Sequence, residues 1–461
     1  MTTEEQRLSF WRKFGYAVGD FGNAVGAGTV IPFWYTLFLT DIARLDLGLV
    51  SLFWLVVTAW DAFNDPLFGF LSDRTRTRWG RRRPYILFGA LPFGLAFALL
   101  WVVPPVARQG LLFAYYVLVY MVYESAFTAV SCPYSALTPE LTEDHDERTS
   151  LVSYRMAVSI GAGLLAPVII GLVIFPMFPE RDPNAYRTIG LLCGASFVPP
   201  LWITFLATRE RPEFGRARPL PLRDSLRFVA RNYAFRYTLS LRILSWMPVV
   251  IAQAVFAYFL LYWVGMGEDQ ASIVQAVIMA AALLSLPAVL WLARRLEKKV
   301  AYIVAAATWT VVMLSILWVP AGAHTPAYVI AALAGFGVAA AHVLPSAMSP
   351  DVLEVDELMS GRRQEGAYAG VETFVQKLAQ ALVLAVLPLA LRASGYVQPS
   401  PDTLTPTQPA SALTVLRLLV SLLPAALLLA SIAVAWFYPL TRQRYLEIQR
   451  RLRAQRSQPP A

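Results

Sequence analysis

Two aspartates stand four residues apart inside an apolar run, Asp61 and Asp65 in "VVTAWDAFNDPLFGFLSD". On a helix, an i,i+4 spacing puts both carboxylates on one face. At about 6 Å and an effective dielectric near 20, they repel by roughly 3 kcal/mol. Each also costs roughly 2.5–3.5 kcal/mol to hold at mid-membrane. A proton on one acid, or a monovalent cation held by both, offsets these terms. Asn64 supplies an amide carbonyl beside them, and Thr58 a hydroxyl one turn earlier. Pro66 can free a backbone carbonyl on the same helix. Oxygen donors with no Cys or His nearby suit Na⁺ or H⁺ rather than a transition metal.

Other polar side chains interrupt apolar runs elsewhere. Asp20 lies among small residues in "GYAVGDFGNAVGAGTV", where space is left for a ligand to reach a hydrogen-bond acceptor. Arg155 sits about one turn into "LVSYRMAVSI". Lys377 in "VETFVQKLAQAL" lies deep in a run and needs an acidic partner. Asp20, Asp61 or Asp65 could provide it, or Glu372 locally; Thr373 adds a hydroxyl one turn before the lysine. Arg242 and Arg417 read as interfacial, and His342 as a packing residue.

The elements that must position these groups follow from composition. Of 461 residues, 57% are hydrophobic and 15% charged, and mean hydropathy is +0.53. A soluble chain of this length needs more charge to cover its surface. Apolar runs recur near residues 14–40, 47–71, 85–104, 111–137, 151–177, 187–207, 237–264, 271–292, 300–319, 326–347, 367–391 and 412–438. Each can cross a hydrocarbon core of about 30 Å. An all-α membrane protein with twelve transmembrane helices is therefore expected.

Charge fixes the expected orientation. Of the 39 Lys and Arg, 30 fall in the N-terminus, the loops after even-numbered runs and the C-terminal tail, whereas Arg44, Arg108, Arg181, Arg187 and Arg392 fall in the opposite loops. That asymmetry predicts both termini in the cytoplasm, and a bacterial inner membrane is the expected location. The net charge of +9 is spread between apolar runs, so no nucleic-acid partner is expected. No cleavable signal peptide is expected, and Cys132 and Cys193 fall inside runs, which indicates no disulfide framework.

The chain also repeats. "CPYSALTPELTEDHDERTS" follows the fourth run and "LPSAMSPDVLEVDELMSGRRQEG" the tenth. Two six-helix halves are expected, 1–208 and 237–440, joined by a basic linker over 209–236 and followed by a basic tail over 441–461. The linker stretch "LRDSLRFVARN" has helical spacing and reads as a lateral surface helix. Halves of this kind belong to transporters that bind near the midplane and rock. Asp73, Arg74, Arg81 and Arg82 are expected to gate the cytoplasmic mouth with Glu140, Glu143, Asp144, Asp351, Glu354 and Asp356.

"DAFNDPLFGFLSDRTRTRWGRRRPYIL", "PYSALTPELTEDHDERTSLVSYRM" and Lys377 together resemble the glycoside-pentoside-hexuronide:cation symporters, the melibiose-carrier branch of the major facilitator superfamily. The resemblance covers essentially the whole chain. It implies the major facilitator fold and cation-coupled uptake of a small solute by a monomer in membrane lipid, with Na⁺ or H⁺ as coupling cation and no other cofactor. It implies a cation site at Asp61 and Asp65 with Asn64 and Thr128, sugar contacts at Asp20 and Arg155, and Lys377 as the link between the two sites; Ser131, Ser135 and Thr373 are expected to join Asp20, Arg155 and Lys377 in binding substrate. Ser131 and Ser135 stand where melibiose carriers have an acid and a sugar-stacking tryptophan, and Gly19 where they have a lysine. The sodium-dependent lysophospholipid symporters, with a more apolar cavity, are the alternative resemblance. No P-loop, nucleophile elbow or metal cluster is visible, so no enzyme is expected.

Overall fold

The computed structural model describes residues 8–142, 145–210, 232–360, 365–439 and 447. These residues are helical almost throughout. Eleven helices among them are long and apolar enough to cross a membrane. Residues 211–231, which hold nearly all of the expected linker helix, and the C-terminal tail apart from residue 447 lie outside the described residues.

The first apolar run does not form one regular helix. It runs as α1 (Phe10–Ala17), a 3₁₀ turn (Val18–Asp20), α2 (Phe21–Val25) and two wider π-helical stretches (Gly26–Tyr35 and Phe38–Ile42). Gly19, Gly22, Gly26 and Gly28 weaken the α-helical ladder there, and Pro32 removes one donor. Irregular turns of this kind often mark functional positions. Asp20 sits in the tight turn.

The next five helices are α3 (Leu47–Arg74), α4 (Arg83–Leu100), α5 (Gln109–Leu141), α6 (His145–Ile169) and α7 (Pro183–Ala207). They are followed by α8 (Tyr233–Phe259), α9 (Glu268–Arg295), α10 (Lys298–Ser315), α11 (His324–Ser360), α12 (Glu365–Ala393), α13 (Ala410–Val420) and α14 (Leu422–Trp436). Short polar residues start three of them. The side chains of Asp46, Asp182 and Asn232 accept from backbone N–H groups of the first turns of α3, α7 and α8.

Two compact units emerge. The first holds the chain through α7 together with Met266–Ala276 and Leu384–Ala412. The second holds the chain from α8 to Gly265, Val277–Val383, and the chain from Leu413 onward. The long helices α9 and α12 therefore each divide between units.

In the first unit α4 and α7 cross with backbone against backbone. A Cβ on Gly94 would lie 2.4 Å from the carbonyl oxygen of Gly194. Such small-residue crossings let helices gain dispersion contacts where no hydrophobic effect drives them together. A buried aromatic cluster of Trp34, Tyr35, Phe38, Phe53, Trp101, Tyr116 and Tyr186 fills the same unit. In the second unit, Trp309 of α10 packs where Gly337 of α11 leaves room. The outward faces carry exposed Leu95, Leu118, Leu206, Leu284 and Val311, the pattern of a lipid-facing surface.

Candidate cation and substrate site

Three side-chain hydrogen bonds set the register of α3 on α5. Trp60 Nε1 donates to Ser125 Oγ at 3.0 Å. Asn64 Nδ2 donates to the main-chain oxygen of Glu124 at 3.2 Å. Thr128 Oγ1 donates to Asp65 Oδ1 at 3.2 Å. Asn64 and Thr128 are fully buried, and Asp61 and Asp65 half-buried. The bond to Asn64 Nδ2 fixes its amide so that Oδ1 has no hydrogen-bond partner. A buried acceptor without a donor calls for an explanation. A hard cation beside Asp65 supplies one, because it needs oxygens and no donor.

The face of α5 toward this cluster continues as a polar stripe. Glu124, Thr128, Ser131 and Ser135 recur at i, i+4, i+7 and i+11, one side of a 3.6-residue helix. Ser131 is half-buried and Ser135 exposed. Glu124 is the residue that reading the chain missed. It stands one turn before Thr128 in "YESAFTAV", an acid inside an apolar run, and that signal was available.

Asp20 and Arg155 meet each other. Arg155 Nη2 lies 3.0 Å from Asp20 Oδ1, and the Asp20 side chain is 4% exposed. Asn23 Nδ2 donates to the same oxygen at 3.3 Å. The guanidinium lies 5.1 Å from the centroid of the Tyr134 ring, which stacks on Tyr16. Tyr134 OH donates to the main-chain oxygen of Tyr16 at 2.9 Å. Both groups were expected as separate substrate contacts. Their pairing leaves Arg155 Nε buried with no partner, so part of the guanidinium is still able to donate.

In the second unit Glu372, one of the acids considered for Lys377, pairs with Arg242. Its Oε1 lies 2.5 Å from Arg242 Nε, with the two side chains 18% and 34% exposed. Arg242, expected at an interface, is thus held as an ion pair. Lys377 is half-buried and Thr373 exposed. His342 packs edge-on against Trp246, with ring centroids 4.5 Å apart. Arg417 donates to the main-chain oxygen of Leu317 and lies over the Trp263 ring at 4.3 Å.

The arginine block after α3 folds as a tight turn. Gly80 has φ +110, a conformation that favours glycine, and a Cβ there would lie 2.5 Å from the Glu210 carboxyl group. Glu210 accepts from the backbone N–H groups of Arg81, Arg82 and Arg83 at 2.7, 2.8 and 2.9 Å. The carboxylate so caps the start of α4 and ties it to the end of α7. Arg74 is exposed and lies over the Phe70 ring at 3.8 Å. The side chains of Asp73, Glu140, Glu143, Asp144, Asp351, Glu354 and Asp356 lie outside the described residues.

Charged side chains on irregular or proline-containing helices of spanning length are the features of a polytopic membrane protein with a polar interior. Comparison with known proteins makes this specific. The family model described as "MFS/sugar transport protein" matches residues 15–442, and the chain belongs to that family. It is 30% identical to an uncharacterized symporter, sll1374, of Synechocystis sp., over 97% of each chain. It is 28% identical to the sodium-dependent lysophosphatidylcholine symporter 1-A of Danio rerio, over 95% of this chain and 87% of that one. It is also 28% identical to the putative glycoside/cation symporter YagG of Escherichia coli, over 97% and 95%. A bacterial homologue of the human lysosomal transporter Spinster superposes with a TM-score of 0.68 at 14% identity, covering 95% of this chain and 97% of that one. That likeness shows the shared fold. The chain is a membrane transporter of the major facilitator superfamily, not an enzyme.

Proposed function

We propose that the chain is a cation-coupled symporter that moves a sugar, glycoside or related small polar solute by alternating access. In this reading residues 10–42 form the first of twelve spans. The halves are 1–208 and 237–440, both termini face the cytoplasm, and the protein works as a monomer in the lipid of a bacterial inner membrane. The observation that carries the reading is the Asp65–Thr128 hydrogen bond beside the unpartnered Asn64 carbonyl oxygen, with Asp61 one turn away. Na⁺ fits that oxygen set and is the favoured coupling ion.

The cation is cargo, and its binding changes the work of the chain's own residues. Asp61 and Asp65 repel until a positive charge lies between them. Thr128 holds Asp65 Oδ1 and so orients that carboxylate for the ion. Neutralised, the α3–α5 pair orders the adjoining polar stripe, and Ser131 and Ser135 lie on it. Asp20, held by Arg155, and Arg155 with its remaining donor offer a sugar hydroxyl one acceptor and one donor. Lys377 and Thr373 are the contacts assigned to the other half. Linkage then requires substrate to raise cation affinity by the same factor as cation raises substrate affinity.

A thermal-shift panel of sugars, glycosides and lysolipids, each with and without Na⁺, tests the reading. A stabilising solute whose effect needs Na⁺, and whose uptake into proteoliposomes follows a Na⁺ gradient, supports it. A solute taken up equally with the gradient collapsed overturns it.

A second reading, a sodium-dependent lysophospholipid symporter, is favoured by Ser131 and Ser135. Short side chains at those positions leave a wider and less charged face on α5 than an acid and a tryptophan would. Competition of uptake by glycosides or by lysolipids separates the two.

A further inference from the structure

Asp41 ends the first apolar run and is 2% exposed. Arg181 Nη1 lies 3.1 Å from its Oδ2, and Arg181 is itself 6% exposed. Tyr396 OH donates to the same carboxylate at 2.9 Å, and Thr40 Oγ1 donates to it at 2.8 Å. The backbone N–H of Arg181 donates to Glu268 Oε2 at 3.1 Å, and Tyr186 OH donates to Glu268 Oε1 at 2.6 Å. Gln398 Nε2 donates to the main-chain oxygens of Thr40 and Leu45, both at 2.9 Å. One buried network thus joins the first run, the turn before α7, the start of α9 and the segment after α12.

A second layer of contacts lies further along α9. Gln275 Nε2 donates to the main-chain oxygen of Thr29 at 3.1 Å. A Cβ on Gly171 would lie 2.7 Å from the main-chain oxygen of Asp269 and 2.9 Å from Ser272 Cβ. The fit therefore depends on glycine at that position. Ser272 is fully buried.

Three features distinguish this region from permanent core. Glu268 and Tyr396 sit on Met266–Ala276 and Leu384–Ala412, two later stretches of the chain that belong to the first unit although their neighbours in sequence belong to the second. A cavity of about 250 Å³ lined by Asp41, Arg44, Glu180, Arg181 and Pro399 lies beside the network. Arg181 also has φ 60, a left-handed conformation that a non-glycine residue keeps only where its surroundings hold it.

We propose that Asp41, Arg181, Glu268 and Tyr396 form the gate on the side of the membrane away from the termini. The gate is closed in this structure. It opens when Met266–Ala276 and Leu384–Ala412 leave the rest of the first unit. This rests on the alternating-access reading and on cytoplasmic termini. It adds the residues that hold the outer side shut while the cation and substrate sites face the other way.

The test places a reporter thiol in the seam. In a Cys132→Ser, Cys193→Ser background, Ser272→Cys is labelled in right-side-out vesicles with a membrane-impermeant maleimide and no substrate. Labelling follows the open population when closing is fast, so weakening the closed state tenfold raises the rate about tenfold. The expected result is slow labelling of the parent and at least that acceleration in Asp41→Asn, in Tyr396→Phe and in Gly171→Ala. Tyr396→Phe loses one hydroxyl and keeps its ring, so it reports even if the charge variant folds poorly. Parental rates in monodisperse variants would overturn the gate and leave the network as a static staple. Acceleration seen only in inverted vesicles would support the gate and overturn the orientation. The assay needs no solute, so a wrong substrate class would not change its outcome.

Discussion

Replacing Thr128 with alanine removes one hydroxyl from a fully buried position and one hydrogen bond, at 3.2 Å, from Asp65. A hydrogen bond to a charged group contributes about 1.5–3 kcal/mol in soluble proteins. Between membrane helices the measured range is lower, about 0.6 kcal/mol on average with a maximum near 1.7. The change in stability without sodium should therefore be small, under about 2 kcal/mol. The effect on the cation should be larger than on the fold. Asp65 loses the group that orients it, and the ion loses a neighbouring oxygen. A loss of one to two kcal/mol of binding corresponds to roughly a tenfold weaker sodium affinity. Sodium titrated against the thermal midpoint of purified protein reads this directly, and the intercept at zero sodium reads the fold separately. Thr128→Ser keeps the hydroxyl and should restore most of the sodium response. A Thr128→Ala protein with the parental sodium midpoint would refute the assignment of this cluster as the cation site.

Asp61→Asn and Asp65→Asn should each abolish gradient-driven uptake, yet leave the sodium-free protein at least as stable, because repulsion of roughly 3 kcal/mol is relieved; concentrative uptake at the parental rate by either would exclude the pair. Asp20→Asn strands Arg155 in a buried setting and should destabilise by about 3 kcal/mol or more, while Asp20→Asn with Arg155→Gln should cost less than the sum of the single changes, measured as thermal midpoints in a double-mutant cycle. Gly94→Ala pushes a methyl to 2.4 Å from the Gly194 carbonyl oxygen and should cost about 1–3 kcal/mol, whereas Gly69→Ala, with nothing within 4 Å, should be neutral or stabilising by up to about 1 kcal/mol. Glu210→Ala frees three backbone N–H groups at the start of α4 and should lower stability by about 0.5–2 kcal/mol, with Glu210→Asp recovering part of it in the same melting experiment.

The membrane helices could be read from the chain because apolar runs of spanning length leave few alternatives in lipid. Thr128 was placed with Asp65 through resemblance rather than through spacing, since the two are 63 residues apart. Partners across the sequence were the weak point. Nothing local tells Asp20 that Arg155 is its counter-ion, or Arg242 that Glu372 is. Asp20 reads from sequence as a substrate acceptor and Arg242 as an interfacial charge, because neither partner is near in the chain. Arg181 was counted as a loop arginine, and the count treats loops as solvated. In the structure it is buried against Asp41. Arg81 and Arg82 were read by their side chains, yet their backbone N–H groups hold Glu210. Backbone donors carry no signature in residue identity. The irregular first run was likewise hidden, because hydropathy does not distinguish an α-helical turn from a tighter or wider one.

Coupling itself can be measured most directly as a reciprocal titration. The solute found by the thermal-shift panel is bound at several fixed sodium concentrations, and sodium is bound at several fixed solute concentrations. If Asp61, Asn64, Asp65 and Thr128 hold the driving ion, each ligand should tighten the other by one common factor, and Asp65→Asn should reduce that factor to one. Substrate affinity that stays the same in sodium, in lithium and across pH in the absence of both would contradict it.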